Sequence, residues 1–508
     1  MDNKLNVEEL AIFCKKKGFT FQAAEIYGGL AGFFDFGPLG VELKNNIKQS
    51  FWKKFVKKRD DMFGQDGSII TNPRVWKASG HVDTFGDLLL TTKESKTKLR
   101  ADHFIEDQLN ILADGLSADE INNLIKKHDL KYNGEEFEKV KFFNVMFTTQ
   151  VGADPSKSST AYLRPETAQS IFPNFKSISE VSRAKLPFGI CQIGKSFRNE
   201  ISPRDFVFRS REFEQMEIEY FVKPNTECDL FSNNHKKTKI QFLSAKNQDD
   251  GIDKVEEISF EELVKKNIMT DYHAYWICEM FKWYTKDLGI NPSNLRLREH
   301  TKTELSHYAI GTFDIDYRYP FGFKELHGIA NRGNYDLKQH QEHSKKSLEI
   351  FDEESKKKLL PSVIEPAVGV ERIFAALLFE AYNDDKERGN IHLKLSPQVS
   401  PYKVAIFPLM NKEELTKVAT KIHENLKEND IDSFYDKSGS IGKRYARQDE
   451  IGTPYCITID YETIEEGDKK NTVTIRDRDS TDQKRIQVQD LDVVINKLIK
   501  NKIDFNEL

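Results

Sequence analysis

Cations, carboxylates and an aromatic ring crowd into one short stretch of this chain, Phe197-Arg198-Asn199-Glu200-Ile201-Ser202-Pro203-Arg204 followed by Arg209-Ser210-Arg211-Glu212-Phe213-Glu214-Gln215-Met216-Glu217. The pattern predicts two short antiparallel strands joined by a charged loop. With a two-residue repeat, Arg198 and Glu200 share a face of the first strand. On the second, Phe213, Gln215, Glu217 and Glu219 share one face, while Met216, Ile218 and Tyr220 point the other way. The apolar face can pack on a core. The polar face offers an arginine, a ring and several carboxylates, a set suited to a nucleotide and a small cation.

A second group lies at Glu365-Pro366-Ala367-Val368-Gly369-Val370-Glu371-Arg372. Pro366 and Gly369 mark a strand-to-helix turn, and the apolar run after Arg372 predicts a buried helix. Arg372 then sits in the first turn of that helix, where a charge without a partner is costly. A phosphate or a neighbouring carboxylate would each serve as that partner.

These groups need elements to position them. Residues 27–40 are rich in glycine and read as a compact loop. Val41, Leu43, Ile47, Phe51, Trp52 and Phe55 then recur at helical spacing. Residues 68–73 read as a strand closed by Pro73. Residues 104–142 and 224–294 read as insertions. The second carries the acidic run Asp249-Asp250-Gly251-Ile252-Asp253 and an aromatic-rich helix over residues 272–284.

Composition bounds the classes. The 508 residues predict two or three domains, and 38% hydrophobic with 31% charged residues is ordinary for a globular chain. No apolar run reaches the length of a membrane span. The N-terminus lacks the layout of a secretory signal. Five scattered cysteines form no CxxC pair, which argues against a zinc ribbon or a disulfide framework and favours a reducing cytoplasm. The net charge of −5 argues against a nucleic-acid packaging protein and allows local basic patches.

Two prolines and two serines in Leu395-Ser396-Pro397-Gln398-Val399-Ser400-Pro401 place a boundary near residue 398. Strands are predicted beyond it at 403–407, near Phe434, at 455–460 and 471–476, with helices at 412–428, around 442–447 and at 489–500. Alternating elements give an α/β domain of about a hundred residues.

The first motif resembles motif 2 of the class II aminoacyl-tRNA synthetases, in the form used by glycyl-tRNA synthetases of the homodimeric type. The residue 365–372 group resembles motif 3, and the helix and strand after residue 40 resemble the dimer-forming motif 1. Other stretches agree in family order: Trp76-Lys77-Ala78-Ser79-Gly80-His81-Val82-Asp83, Arg100-Ala101-Asp102-His103, Leu163-Arg164-Pro165-Glu166-Thr167-Ala168-Gln169, Phe323-Lys324-Glu325-Leu326-His327-Gly328-Ile329-Ala330-Asn331-Arg332 and Tyr435-Asp436-Lys437-Ser438-Gly439-Ser440-Ile441-Gly442-Lys443-Arg444-Tyr445.

The resemblance implies an α+β fold: a catalytic domain over 1–398, built on an antiparallel sheet of six or seven strands flanked by helices, and an anticodon-binding domain over 399–508. It implies ATP, Mg2+, glycine, tRNA(Gly) and a second copy of the chain as partners, with no membrane. The implied reaction attaches glycine to its tRNA in two steps through glycyl-adenylate. Arg198, Arg372 and Glu365 are the implied catalytic groups. ATP contacts fall on Arg198, Asn199, Glu200, Phe208, Arg209, Ser210, Arg211, Glu212, Phe213, Glu325, Leu326, Gly369, Val370, Glu371 and Arg372. Phe213 is to stack on adenine, with Arg372 over its other face. Glycine contacts fall on Arg100, Glu166, Phe213, Glu214, Gln215, Met216, Glu217, Glu365, Pro366, Ala367, Val368 and Gly369. Glu325 and Glu365 are the implied magnesium ligands, through oxygen.

Ala367 stands where the family usually has serine; a lost neutral hydrogen bond there is worth about 0.5–1.5 kcal/mol. Lys443, Arg444, Tyr445 and Arg447, with Lys437 nearby, are expected to meet the anticodon, although a solvated basic helix face would look the same. Arg476 and Arg478 are expected to pair with their neighbouring aspartates. The insertions fit either a solvated face or a tRNA-contacting appendage. Two rivals remain: a synthetase of the same subclass for serine, proline or threonine, and a non-enzymatic binding relative of the fold.

Overall fold

The strands that carry the charged motif are longer than their sequence suggests. In the computed structural model, which describes residues 5–111, 113, 115–154, 160–306, 308–353 and 355–508, they run Phe188–Phe197 and Glu212–Val222, ten and eleven residues. Arg198 lies just past the end of the first strand, and Glu200 belongs to the connecting loop. Met216, Ile218 and Tyr220 are fully buried in the main core, as their period requires. Gln215, Glu217 and Glu219 are buried as well, so both faces of this strand are covered.

Six antiparallel strands form the centre, in the order Leu295–Glu299, Gly311–Tyr319, Gly322–Gly333, Ser362–Gly369, Glu212–Val222 and Phe188–Phe197. Met62–Gln65 joins one edge in parallel. Lys239–Leu243 joins the other edge in parallel and carries Glu256–Ser259, giving nine strands.

The helix after the glycine-rich loop is Pro38–Trp52, and it buries Leu39, Leu43, Ile47 and Phe51. Proline in the first turn suits it, since no hydrogen bond is lost there. The chain continues through the wide turn Lys53–Lys57 into Met62–Gln65. The strand expected at 68–73 is therefore displaced toward the N-terminus. Ile69 and Ile70 stay exposed, and Pro73 opens the helix Pro73–Ala78, with Asn72 capping the Arg74 N–H.

Neither expected insertion stands apart as drawn from sequence. Gly86–Thr91 pairs with both Lys98–Arg100 and Lys141–Asn144, and two helices close over it. Leu90, Ile105 and Ile121 form its own small core, so this unit begins near residue 86 rather than 104. In the second region, Asp271–Lys282 is buried on nearly every side within the main core. Trp283 meets Phe51 at 5.3 Å and Trp276 meets Phe55 at 6.1 Å. Each buried aromatic contributes about 1.5–3 kcal/mol. That helix is part of the support of the sheet, not an appendage.

A separate core begins at Val404. Its five-stranded sheet runs Ser433–Tyr435, Val404–Pro408, Tyr455–Ile459, Thr472–Asp477 and Gln483–Gln487, the first three parallel and the last two antiparallel. The last strand has no counterpart in the sequence reading, because Gln483-Lys484-Arg485-Ile486-Gln487 is nearly all polar. It is an edge strand.

Candidate active site

A cavity of about 490 Å³ opens over the polar face of the central strands. Strand register builds its floor. Glu217 faces Ala367, and Ala367 faces Gly328, so an acid and two very small residues lie in a row across three strands. Nothing larger than a methyl group rises from two of those three positions.

Arg198 stands at one end. Its guanidinium carbon lies 5.4 Å from the Phe213 ring centre and 5.3 Å from that of Phe85, and Nε donates to the Pro165 carbonyl at 3.1 Å. Held between two rings, the planar fork keeps one orientation toward the cavity it lines. Arg209 also lines the cavity, 4.0 Å from Glu200.

Arg372 lies in the first turn of Val370–Ala381. Its partner is Glu325, with Nη1 2.8 Å from Oε1, and its guanidinium carbon is 4.8 Å from the Phe208 ring centre. Of the two partners open from sequence, the structure supplies the carboxylate. Burial raises the Glu325 pKa, but Arg372 outweighs it and holds the group at about 2.

Acids line the cavity as well. Glu166, Glu217 and Glu365 line it and are all nearly inaccessible. Gln215 Nε2 donates to Glu217 Oε1 at 2.9 Å, and Thr167 Oγ1 donates to Oε2. Glu365 accepts from Arg332 Nη1 through both oxygens, at 2.9 and 2.8 Å. Arg332 is bonded also to Asp336 and lies 3.8 Å over the Tyr308 ring. Beneath them Glu219 is fully buried, and neither of its oxygens has a partner among the described residues. Burial first, then the charges of Glu365 and Glu166, raise the Glu217 pKa; burial and Glu365 raise that of Glu219.

Comparison with known proteins gives two family matches and many full-length relatives. Residues 147–381 match the tRNA synthetase class II core domain (G, H, P, S and T), and 403–498 match an anticodon binding domain. Glycine–tRNA ligase of Caldanaerobacter subterraneus subsp. tengcongensis is 42% identical over 510 residues, covering 98% of this chain and all of the relative. That of Geobacillus thermodenitrificans is 42% identical over 509 residues, covering 98% of each. That of Acetivibrio thermocellus is 43% identical over 502 residues, covering 97% of this chain and 98% of the relative.

The chain belongs to the glycine–tRNA ligases.

Within this ligase fold most residues implied by the family resemblance meet at the cavity, including Arg100, Glu200, Phe208, Ser210, Val368 and Gly369. Others do not. Arg211 donates to the carbonyls of Glu200 and Ala31, fixing two loops instead of facing the cavity. Glu212 pairs with Lys195, and Glu214 with Lys44 and Lys48. Glu371 does reach the cavity wall, but its carboxylate accepts from Lys44 and from the Glu214 N–H. Met216, Leu326 and Val370 are core residues. Asn199 donates its N–H to the Val145 carbonyl, and Pro366 is buried in its strand. Strand alternation explains Glu212, Glu214, Met216, Leu326 and Pro366, because a family motif is contiguous but only alternate residues of a strand share a face; Asn199 and Arg211 lie in the loop between two strands, and Val370 and Glu371 open a helix.

Asp87, His300, Tyr308, Thr312, Asp314 and Gly328 line the ligase cavity without having been singled out. Leu295-Arg296-Leu297-Arg298-Glu299 alternates apolar and charged residues, and that pattern was the available signal for a strand ending at the site. Asp87 and Tyr308 sit in stretches with no comparable pattern.

In the anticodon-binding domain Arg444 is 2% exposed. It donates to the carbonyls of Pro408, Leu409 and Asp436, so it braces the sheet and is withdrawn from any RNA. Tyr445 is half-buried, its hydroxyl 2.6 Å from Thr458 Oγ1, with Arg476 over the ring. Lys437, Lys443 and Arg447 are exposed. Arg478 pairs with Asp479 as expected, whereas Arg476 pairs with Asp449 on a different element, at 2.9 Å through both nitrogens.

Proposed function

We propose that this chain joins glycine to tRNA through glycyl-adenylate, with the acid-lined end of the cavity taking the amino acid and the Arg198–Phe213 end taking ATP. The row Glu217–Ala367–Gly328 carries the reading. The acids suit an ammonium group. They do not separate glycine from alanine; a stiff wall does, since forcing in one extra methyl group costs about 1–3 kcal/mol.

Glycine's carboxylate attacks the α-phosphorus of ATP, and pyrophosphate leaves. The 3′-hydroxyl of the terminal adenosine then attacks the adenylate carbonyl, and AMP leaves. Arg198, clamped by its two rings, can hold the carboxylate and an α-phosphate oxygen together as charge builds on them. Phe213 offers its ring to adenine and Glu200 an acceptor for the exocyclic amine. Arg372 and Arg209 face the outer phosphates.

A magnesium ion fits Glu325, a cavity-lining carboxylate 44% exposed that engages Arg372 through Oε1. Glu365 fits less well, because Arg332 already neutralises both its oxygens. Such an ion supplies charge neutralisation at phosphate oxygens.

In the C-terminal domain Lys437 and Lys443 are exposed cations suited to anticodon phosphates, while Arg447 is exposed but already paired with Asp436 at 2.7 Å. The division is catalytic over 1–398 and anticodon-binding over 399–508. A second copy of the chain is the partner that the family resemblance implies, and Ile26, Tyr27 and Leu30, apolar and exposed in the loop that precedes the Pro38–Trp52 helix in sequence, are surface it could cover. No helix among the described residues is long and apolar enough to cross a membrane, in keeping with a place in the cytoplasm. A non-enzymatic relative is not favoured, since Arg198, Glu200, Phe213 and Arg372 all face one cavity. The test is ATP–pyrophosphate exchange with a panel of amino acids. Glycine alone should support it; exchange driven by serine, proline or threonine would refute the reading.

A further inference from the structure

Trp76-Lys77-Ala78-Ser79-Gly80-His81 belongs to the sequence signature but does not itself line the cavity. Gly80 takes φ 84°, a left-handed conformation natural only to glycine, and this turn folds His81 back toward the cavity wall. His81 is 5% exposed. Its ring meets Trp76 edge-on at 5.5 Å and lies 4.9 Å from Phe85. Nδ1 is 2.8 Å from Ser79 Oγ, and Asn144 Nδ2 donates to the His81 carbonyl at 3.0 Å.

That leaves Nε2, which is 3.3 Å from Glu166 Oε2. Glu166 Oε1 has no hydrogen-bond partner among the described residues, although Glu166 lines the cavity. A buried carboxylate oxygen without a donor is costly. It is also the site a substrate N–H would complete. Carboxylate torsions are soft, so one oxygen must be tethered if the other is to keep its aim. His81 also heads the groups that hold Glu166 ionised: burial pushes its pKa up, while His81, then Arg332 and Arg198, bring it well below the usual range.

We propose that His81 is a positioning residue for the amino-acid substrate, holding one oxygen of Glu166 so that the other accepts an N–H from the substrate's ammonium group. This rests on the reading that Glu166 meets that group. The surrounding aromatic cage makes plain packing the competing explanation, and His81→Phe separates the two: it keeps a flat ring between Trp76 and Phe85 but removes both nitrogens.

The experiment measures glycine and ATP KM values by pyrophosphate exchange, with melting temperatures, for His81→Phe, His81→Gln, Ser79→Ala and Glu166→Gln. Hydrogen bonds to charged groups predict that His81→Phe raises the glycine KM at least about tenfold, while the ATP KM changes less than about twofold. His81→Gln, which keeps an N–H donor, should recover part of the loss. An unchanged glycine KM in His81→Phe, with Glu166→Gln impaired, overturns the positioning role alone. An unchanged glycine KM in Glu166→Gln overturns the ammonium reading beneath it. Should His81→Phe melt early, Ser79→Ala decides, because it frees the ring without emptying the cage. A raised glycine KM then supports the role, and an unchanged one overturns it.

Discussion

Arg332 and Glu365 are joined through both carboxylate oxygens to one guanidinium nitrogen, with side chains 1% and 8% exposed. Asp336 occupies the rest of the fork. Removing one member of a buried ion pair strands its partner and costs about 3–5 kcal/mol. Arg332→Met should therefore lower the melting temperature clearly. Removing an exposed pair such as Lys239–Glu257 should cost less than about 1 kcal/mol. Equal melting of the two variants would contradict the assignment.

Arg198 should matter to chemistry far more than to folding. Arg198→Ala is expected to slow pyrophosphate exchange on the order of a hundred- to a thousandfold, the effect of losing one transition-state donor. Arg198→Lys should not restore it, because an ammonium group cannot grip two oxygens or stack between Phe85 and Phe213. Near-normal exchange in either variant would remove Arg198 from the mechanism.

Glu219 predicts a pH effect whose sign is fixed by its surroundings. Burial and the charge of Glu365 raise its pKa in the folded protein. An unfolded glutamate titrates near 4.3, at about its reference value. Above that pH the folded state keeps a proton that the unfolded chain has released, so this group makes folding progressively less favourable as pH rises toward the folded pKa. Glu219→Gln, similar in shape and never charged, should melt higher than the parent at pH 8 and nearly with it at pH 4. A constant offset at both pH values would disprove the linkage.

Two neighbours in the C-terminal domain should part company. Lys443→Ala, at an exposed position, should weaken tRNA charging through its KM and leave pyrophosphate exchange alone. Arg444→Ala should instead unfold its domain at lower temperature, since carbonyls of Pro408, Leu409 and Asp436 lose their donor. A buried unsatisfied carbonyl costs about 1–3 kcal/mol. Were Arg444→Ala to spoil charging with an unchanged melting curve, the anticodon role expected from sequence would stand after all.

The contrast between those two residues also marks how far the chain could be read without coordinates. Periodicity is local, and it was sufficient for the helix after Gly37, for the alternating faces of Glu212–Val222 and for most of the C-terminal elements. Ordered motifs were sufficient for the family and its chemistry. What a sequence does not hold is the partner of each charge. Arg476 looks paired with Asp477 but meets Asp449; Arg211 looks aimed at phosphate but braces two loops; the aromatic helix of residues 271–282 falls in a stretch that reads as an insertion but lies in the core. Such outcomes depend on strand register and on which surfaces the fold brings together across hundreds of residues. Packing and the cost of burying an unpaired charge then select one partner among several of equal local plausibility, and that selection exists only in three dimensions.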